Sequence, residues 1–225
     1  MASTDTGFGK VRLFDDFLVA SVNLDDWNIN KANAGVNFAI STAVNGTIRG
    51  TTTNNSSVDM AVLYNELVWK PNSAGPLIFE ARCAIVTSLS QLIFIGLSDE
   101  AACERPMDYN GGTLTSTASN AVGFYYAGGV SSTTWRCGGV KADADSTQTA
   151  AHVKHNPVLA TFQTFRIVVN PDGSASFYID GDIIVENVAN ACTAATALMP
   201  FFSITDDGAA GSLDVDYAYC TAGRA

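Results

Sequence analysis

The fold is decided by residues 162–185, which read FQTFRIVVNPDGSASFYIDGDIIV. Phe165, Ile167 and Val169 fall on one face of an extended strand, the spacing of a half-buried strand. The turn sequence 170–173, Asn-Pro-Asp-Gly, then reverses the chain, and Asp-Gly at 180–181 reverses it again. Turns this short join antiparallel strands, so we predict a three-strand antiparallel meander over this stretch.

The two ends of the chain carry further strand patterns. The opening and closing stretches are Leu13–Phe17, Leu24–Trp27, Met199–Phe202 and Leu213–Tyr217. Alternation places Leu213, Val215, Tyr217 and Tyr219 on one face, which predicts a half-buried final strand. We therefore expect one domain over residues 13–225, preceded by a flexible polar arm at residues 1–12.

Composition limits the class of protein. The 225 residues suffice for a full core. Only 15% of them are charged, against roughly 25% in a typical soluble domain. A net charge of −10 with scattered Lys and Arg argues against nucleic acid as a partner. No apolar run is long enough to span a membrane, and residues 1–12 lack the apolar core of a signal peptide, so we expect synthesis in the cytoplasm and no membrane partner.

The cysteines do not form a recognisable framework. They number five, so at least one thiol is unpaired, and no Cys-x-x-Cys pair exists to build a zinc ribbon: Cys83, Cys103, Cys137, Cys192 and Cys220. Cys83 shares a strand face with Phe79 and Ile85, which predicts that it packs as a small apolar side chain.

Strand signals dominate the rest of the chain. Residues 77–86 and 92–97 are apolar runs separated by a polar turn, and we predict that they form a hairpin. Small polar residues fill 51–57, 111–120 and 127–134, which predicts surface loops. Many short strands with antiparallel turns and almost no helix favour an all-β sandwich.

In chain order, several of these segments resemble the successive strands of concanavalin A-like lectin/glucanase domains. The matching segments are Phe14–Phe17, Leu24–Trp27, Phe79–Arg82, Ile93–Asp99, Val122–Tyr126, Phe165–Val169, Phe177–Gly181 and Asp214–Tyr217. The resemblance covers residues 13–220. It implies a two-sheet antiparallel jelly-roll β-sandwich with a concave face.

That superfamily includes glycosidases, lectins and structural modules, so the fold leaves the function open. Family glucanases resemble one another in carrying Glu-x-Asp-x-x-Glu on one strand, where alternate positions hold two carboxylates about 5 Å apart. None of the five Glu residues here sits in that pattern. The Asp pairs two apart are followed, three residues on, by Gln148, Val185 and Tyr219. We therefore expect no enzymatic activity, with a divergent glycoside hydrolase as an alternative.

One group of residues is a candidate carbohydrate-binding site. Tyr125, Tyr126, Trp135 and Arg136 bracket a Gly/Ser loop and offer aromatic rings beside a polar group. The competing interpretation is that these rings pack in the core, since Tyr125 and Tyr126 take opposite faces of one strand.

Metal ligands are sparse. His152 and His155 lie beside Pro157 without a nearby Cys or carboxylate, which favours a solvated loop over zinc. Asp99-Glu100 and Asp206-Asp207 offer oxygen atoms that suit calcium. We expect no cofactor, with structural calcium as the open alternative.

The function expected from these features is structural. Loops of Ser, Thr, Asn and Gly, few charges, the missing export signal and a polar arm that orders on a neighbouring subunit are typical of a bacteriophage virion protein. We expect a capsid decoration or fibre protein on the virion surface, homo-oligomeric or bound to other virion proteins, with glycans as further partners. A carbohydrate-binding, lectin-like module is the main alternative.

Overall fold

A computed structural model describes residues 10–18, 22, 26–41, 46–54, 59–110, 113–128 and 133–224. In chain order the strands are β1 (Lys10–Asp15), β2 (Asn28–Lys31), β3 (Asn37–Ser41), β4 (Thr47–Thr51), β5 (Met60–Tyr64), β6 (Leu77–Ile85), β7 (Gln91–Ser98), β8 (Met107–Asn110), β9 (Thr113–Ser116), β10 (Asn120–Ala127), β11 (Arg136–Lys141), β12 (Ala144–Asp145), β13 (Thr149–Ala150), β14 (Gln163–Val169), β15 (Ala175–Ile179), β16 (Asp182–Val188), β17 (Met199–Asp206) and β18 (Ser212–Gly223). A 3₁₀ turn covers Val153–His155. Within these ranges no helix is long and apolar enough to cross a membrane.

The strands form two large antiparallel sheets, as the sequence predicts. Sheet 1 has the order β16-β15-β14-β6-β18-β4-β3, with β1 also paired to β18. Sheet 2 has the order β12-β11-β10-β7-β17-β5-β2, with β13 paired to β11. The predicted meander is confirmed, because β14 pairs with β15 and β15 with β16, both antiparallel.

The main core lies between the two sheets and is built from alternate strand residues. Phe165 and Phe177 of sheet 1 pack against Phe124 of sheet 2, with ring centroids 5.2 and 5.5 Å apart. Phe79 meets Phe202 in the same way at 5.8 Å. All five rings are fully buried, and each contributes about 1.5–3 kcal/mol through loss of apolar surface from water.

Sheet 2 is covered on its other face as well. A small hairpin of β8 and β9 lies over it, and Tyr109 and Leu114 of the hairpin share a second apolar cluster with Phe94, Tyr125 and Phe201. Every residue of β7, β10 and β17 is buried, which explains why apolar residues occupy both faces of these strands. The prediction of a surface loop at 111–120 is wrong for Leu114, which closes this cluster.

The predicted hairpin of residues 77–86 and 92–97 is also wrong. β6 lies in sheet 1 and β7 in sheet 2, so the short polar segment between them crosses from one sheet to the other. Both strands contribute apolar residues to the same core, from opposite sides.

The final strand does not keep one face along its length. The pairing of β18 with β6 shifts register between Val215 and Tyr217, so Asp216 is an extra residue in a β-bulge. Leu213 and Val215 point into the core before it, and Ala218, Cys220 and Ala222 do so after it. Tyr217 and Tyr219 were predicted to share the inner face of Leu213, and the bulge turns them to the outer face instead.

The two ends of the described chain meet in sheet 1. β1 pairs with β18 from Lys10 opposite Gly223 to Asp15 opposite Ala218. The predicted flexible arm at 1–12 is therefore wrong for its last three residues, which lie in β1; residues 1–9, like Leu24 and Asp25, lie outside the described residues. Trp27 anchors this end, since its fully buried indole donates a hydrogen bond to Asp15 Oδ2 at 2.9 Å.

Candidate functional site

The four residues predicted to bind carbohydrate do not form an open surface. Trp135 is 1% exposed, packs 4.7 Å from the Phe165 ring and donates a hydrogen bond to Gln163 Oε1 at 3.0 Å. Tyr126 lies beside it in the main core, at 5.3 Å between ring centroids.

Tyr125 and Arg136 lie on the other side of sheet 2. Tyr125 is buried under the β8–β9 hairpin and donates a hydrogen bond to Gln148 Oε1 at 2.7 Å. The half-buried Arg136 guanidinium lies 3.9 Å from the Tyr109 ring centroid. A buried ring has no face to offer a sugar, so the prediction of an aromatic platform at Tyr125, Tyr126, Trp135 and Arg136 is corrected: the three rings pack in the core, and Arg136 packs on Tyr109.

An open surface of mixed polar and aromatic character lies instead on the outer face of sheet 1. A groove of about 650 Å³ follows β6, β14 and β15 there, lined by Glu80, Thr164, Arg166, Val168, Tyr178, Asp180 and Gly181. Strand pairing places Glu80 opposite Arg166 and Arg166 opposite Tyr178. Their sequence neighbours Phe79, Ile167 and Phe177 fill the core, so alternation fixes these three side chains on the outer face.

Glu80 is the centre of the groove's polar contacts. The Tyr217 hydroxyl donates a hydrogen bond to Glu80 Oε1 at 2.8 Å, and Arg166 Nη1 lies 3.6 Å from Glu80 Oε2. Partial burial, together with the hydrogen bond and charge of Glu80, raises the pKa of Tyr217 to about 12. The Tyr217 phenol therefore stays protonated and remains a donor at neutral pH.

A tight turn closes one end of the groove. Asp180 and Gly181 both have positive φ angles, 54° and 83°. Asp180 exchanges two hydrogen bonds with Thr164 of β14: its amide donates to the Thr164 carbonyl, and its Oδ1 accepts from the Thr164 amide, each at 2.8 Å. The bond to the Thr164 amide holds the side chain of Asp180 at this end of the groove.

A buried histidine supports this turn from behind. His155 lies with its Nε2 atom 3.2 Å from Asp182 Oδ2 and its Nδ1 atom 3.9 Å from Asp180 Oδ2. The prediction of a solvated loop is therefore wrong for His155, which is buried. Lys154 Nζ also donates to Asp182 Oδ2 at 2.5 Å, and this bond lowers the pKa of Asp182.

Three of the four acidic residues considered for calcium accept hydrogen bonds from nearby groups of the chain, whereas the Oδ2 atoms of Asp206 and Asp207 are buried without a hydrogen-bond partner among the described residues. Asp99 accepts hydrogen bonds from the amide and side chain of Asn120, both at 2.9 Å, and Glu100 Oε1 accepts from the amide of Ala102 at 2.9 Å. Asp206 Oδ1 accepts from the amide of Ala209 at 3.0 Å. In the part of the chain that the structure describes, no three His, Cys, Asp or Glu side chains are grouped so as to hold a metal ion.

The cysteines do not supply a reactive centre. All five are free, and four of them are buried: Cys83, Cys137, Cys192 and Cys220. Burial raises the pKa of each of these four thiols, which disfavours the nucleophilic thiolate. The burial predicted for Cys83 is confirmed.

The sequence contained a signal for the groove. Thr164, Arg166 and Val168 alternate with the buried residues of β14, and Tyr178 sits between two buried residues of β15. Arg166, Val168 and Tyr178 lie within the segments that carry the family resemblance. The sequence did not reveal the strand order. That order places β6 beside β14 and so adds Glu80 to the groove.

Comparison with known proteins gives matches only to solved structures, and these identify the fold. No family model matches the chain, and neither does any curated protein. Among solved structures, an endo-1,3-β-glucanase from Streptomyces sioyaensis aligns over 95% of this chain and 96% of its own, with a TM-score of 0.62 and 15% identity. The Bacillus licheniformis β-glucanase aligns over 93% of this chain and 97% of its own, with a TM-score of 0.65 and 9% identity.

A carbohydrate recognition domain gives a similar match. The carbohydrate recognition domain of Emp47p aligns over 95% of both chains, with a TM-score of 0.60 and 9% identity. The chain has the concanavalin A-like jelly-roll fold. The resemblance drawn from the sequence is thus confirmed at the level of the fold, which glucanases and carbohydrate recognition domains share.

Proposed function

We propose that this protein is a non-enzymatic β-sandwich that binds carbohydrate through the groove on the outer face of sheet 1. The observation that carries the proposal is the position of the half-buried Tyr178 ring beside the paired Glu80 and Arg166 side chains in that groove. A tyrosine offers an apolar face for a sugar ring, and the charged neighbours accept from and donate to sugar hydroxyls.

Several features favour binding over hydrolysis. Glycosidases use two carboxylates that flank the scissile bond, one as acid and one as base or nucleophile. Both oxygen atoms of Glu80 already face partners, Tyr217 and Arg166, and Asp180 Oδ1 accepts the Thr164 amide. The glucanase pattern Glu-x-Asp-x-x-Glu is also missing from the sequence. Incubation with β-glucans is expected to release no reducing ends.

The binding role is tested by titrating a neutral β-1,3-glucan hexasaccharide into the protein by calorimetry. Tyr178→Ala is expected to weaken binding about tenfold, which corresponds to about 1.4 kcal/mol. Tyr64→Ala is the matched control, because Tyr64 is another half-buried tyrosine but lies in sheet 2, where it stacks on Phe201. Equal affinities of the two variants, or no heat of binding with the unaltered protein, would contradict the proposal.

We further propose that the protein displays this groove as a homo-oligomer or decoration on the surface of a bacteriophage virion. The low content of charged residues and the Ser-, Thr-, Asn- and Gly-rich loops support this role. Immunogold labelling of purified particles with an antibody to the protein is the test. Unlabelled particles, with the protein found only in the soluble fraction of infected cells, would overturn it.

A further inference from the structure

The groove is one part of a longer row of outward-facing residues. Strand pairing aligns Phe14 with Tyr219, Tyr219 with Glu80, Glu80 with Arg166, and Arg166 with Tyr178. The row crosses five adjacent strands, β1, β18, β6, β14 and β15. Neighbouring strands lie about 4.8 Å apart, so four steps span about 19 Å.

All five side chains face away from the core. Phe14 is 64% exposed, Arg166 is exposed, and Tyr219, Glu80 and Tyr178 are half-buried. Phe14 also lies against the other outward tyrosine of β18, with 6.1 Å between its ring centroid and that of Tyr217. Without the bulge at Asp216, Tyr219 would point inward and the row would be broken.

The row has aromatic residues at both ends and a charged pair in the middle. Aromatic rings stand at its two ends, Tyr178 at one and the pair Tyr219 and Phe14 at the other, and the Glu80–Arg166 pair lies between them. One sugar ring cannot reach both ends of a surface about 19 Å long. A linear chain of several sugars that runs across the strands reaches both.

The charges around the row disfavour an anionic ligand. Three of the cations on or beside the row lie next to a carboxylate: Arg166 by Glu80, Arg82 by Asp216 at 2.7 Å, and Lys154 by Asp182. Asp180 adds a further negative charge at the groove's end, and the whole chain carries a net charge of −10. This field repels polyanions and leaves neutral glycans as the class of ligand.

We propose that Phe14, Tyr219, Glu80, Arg166 and Tyr178 form one extended site for a linear, neutral polysaccharide that lies across the strands of sheet 1. This inference rests on the proposed carbohydrate-binding function and deepens it. Tyr178 holds one end of the chain, Phe14 and Tyr219 hold the other, and the Glu80–Arg166 pair bonds hydroxyl groups between them.

The experiment measures affinity as a function of ligand length, with neutral β-1,3-glucan oligosaccharides of increasing size. Affinity is expected to rise until the ligand spans the row and then to level off. Phe14→Ala is expected to weaken binding of the longest oligosaccharide about fivefold, the order of one aromatic contact, and to leave the disaccharide unaffected. Phe14→Tyr keeps the ring and is expected to retain full affinity.

Val68→Ala is the control, because Val68 is also 64% exposed but lies on the connection between β5 and β6. Three outcomes separate the two proposals. If no oligosaccharide of any length binds, the carbohydrate-binding function itself falls. If Tyr178→Ala weakens binding while Phe14→Ala changes it for no length, the groove alone is the site and the extended row is wrong. If a sulfated glucan binds more tightly than the neutral one, the assignment of a neutral ligand is wrong.

Discussion

Tyr217 lies where the bulge of β18 meets the polar centre of the outer face. Its hydroxyl donates to Glu80 Oε1 at 2.8 Å, and its pKa of about 12 lies above the ordinary value of 10. Because the folded state holds this proton more tightly than the unfolded state, the resulting stabilisation is complete below pH 10 and is lost as the pH rises towards 12.

Tyr217→Phe is therefore expected to remove part of the alkaline destabilisation. At neutral pH the variant loses one hydrogen bond and is expected to be about 1 kcal/mol less stable. Between pH 10 and 12 its stability is expected to fall less steeply than that of the unaltered protein. Urea unfolding at a series of pH values measures both effects, with Tyr219→Phe on the same strand face as the control. Parallel pH profiles for Tyr217→Phe and the unaltered protein would contradict this assignment.

For individual residues, the sequence predicted burial correctly where apolar and polar residues alternate regularly along a strand. It predicted burial poorly where they do not. Phe165, Ile167 and Val169 were assigned to the core, and they are fully buried. Trp135 and Tyr126 were assigned to a binding platform because aromatic residues beside a Gly/Ser loop suit either role. Whether such a ring binds a ligand or packs in the core depends on whether another layer of the structure covers it. The identity of the residue does not reveal that.

Among the elements, the β8–β9 hairpin determines how much of sheet 2 meets solvent. Leu114 is its central apolar contact, and Thr115 beside it is exposed. Leu114→Ala is expected to lower the free energy of unfolding by about 2–5 kcal/mol, because it leaves a cavity against sheet 2.

Thr115→Ala, the neighbouring control, is expected to stay within about 0.5 kcal/mol of the unaltered protein. Urea unfolding measures both variants. Increased binding of an apolar dye by folded Leu114→Ala would also report a loosened hairpin. If the two substitutions had the same small effect, the hairpin would not be packed on sheet 2 as described.

The elements also show where the sequence left the topology open. The meander β14–β15–β16 was predictable because its Asp-Gly turns fit adjacent antiparallel strands. The link between β6 and β7 is as short and polar as a hairpin turn, but it passes from one sheet to the other. The large apolar and aromatic residues of β18 alternate without a break across Asp216, although the bulge there changes which of them face the core, so periodicity alone could not reveal it.

For the whole molecule, the class of fold followed from strand spacing and turn type, whereas the candidate groove followed only from the strand order. Its lining residues come from β6 and β14, strands far apart in sequence that become neighbours in sheet 1.

The molecule also buries most of its thiols. Four cysteines lie in the core between the sheets, and Cys103 is partly exposed near the β8–β9 hairpin.

We therefore expect a thiol reagent such as Ellman's reagent to modify one cysteine in the folded protein and five after unfolding in urea. The single reaction is expected to be slow, because burial and the neighbouring Glu104 raise the pKa of Cys103. Cys103→Ser is expected to abolish labelling of the folded protein. Rapid labelling of two or more thiols without urea would show that the sandwich opens more readily than its packing implies.

The pairing of β1 with β18 has a consequence for synthesis. β18 lies inside sheet 1, between β6 on one side and both β4 and β1 on the other. It is also the last in chain order of the strands that the structure describes. β1, β4 and β6 are made much earlier, so sheet 1 is completed only once β18 has been made. The pairings that complete the sheet join strands far apart in sequence, and a fold dominated by such distant contacts forms slowly.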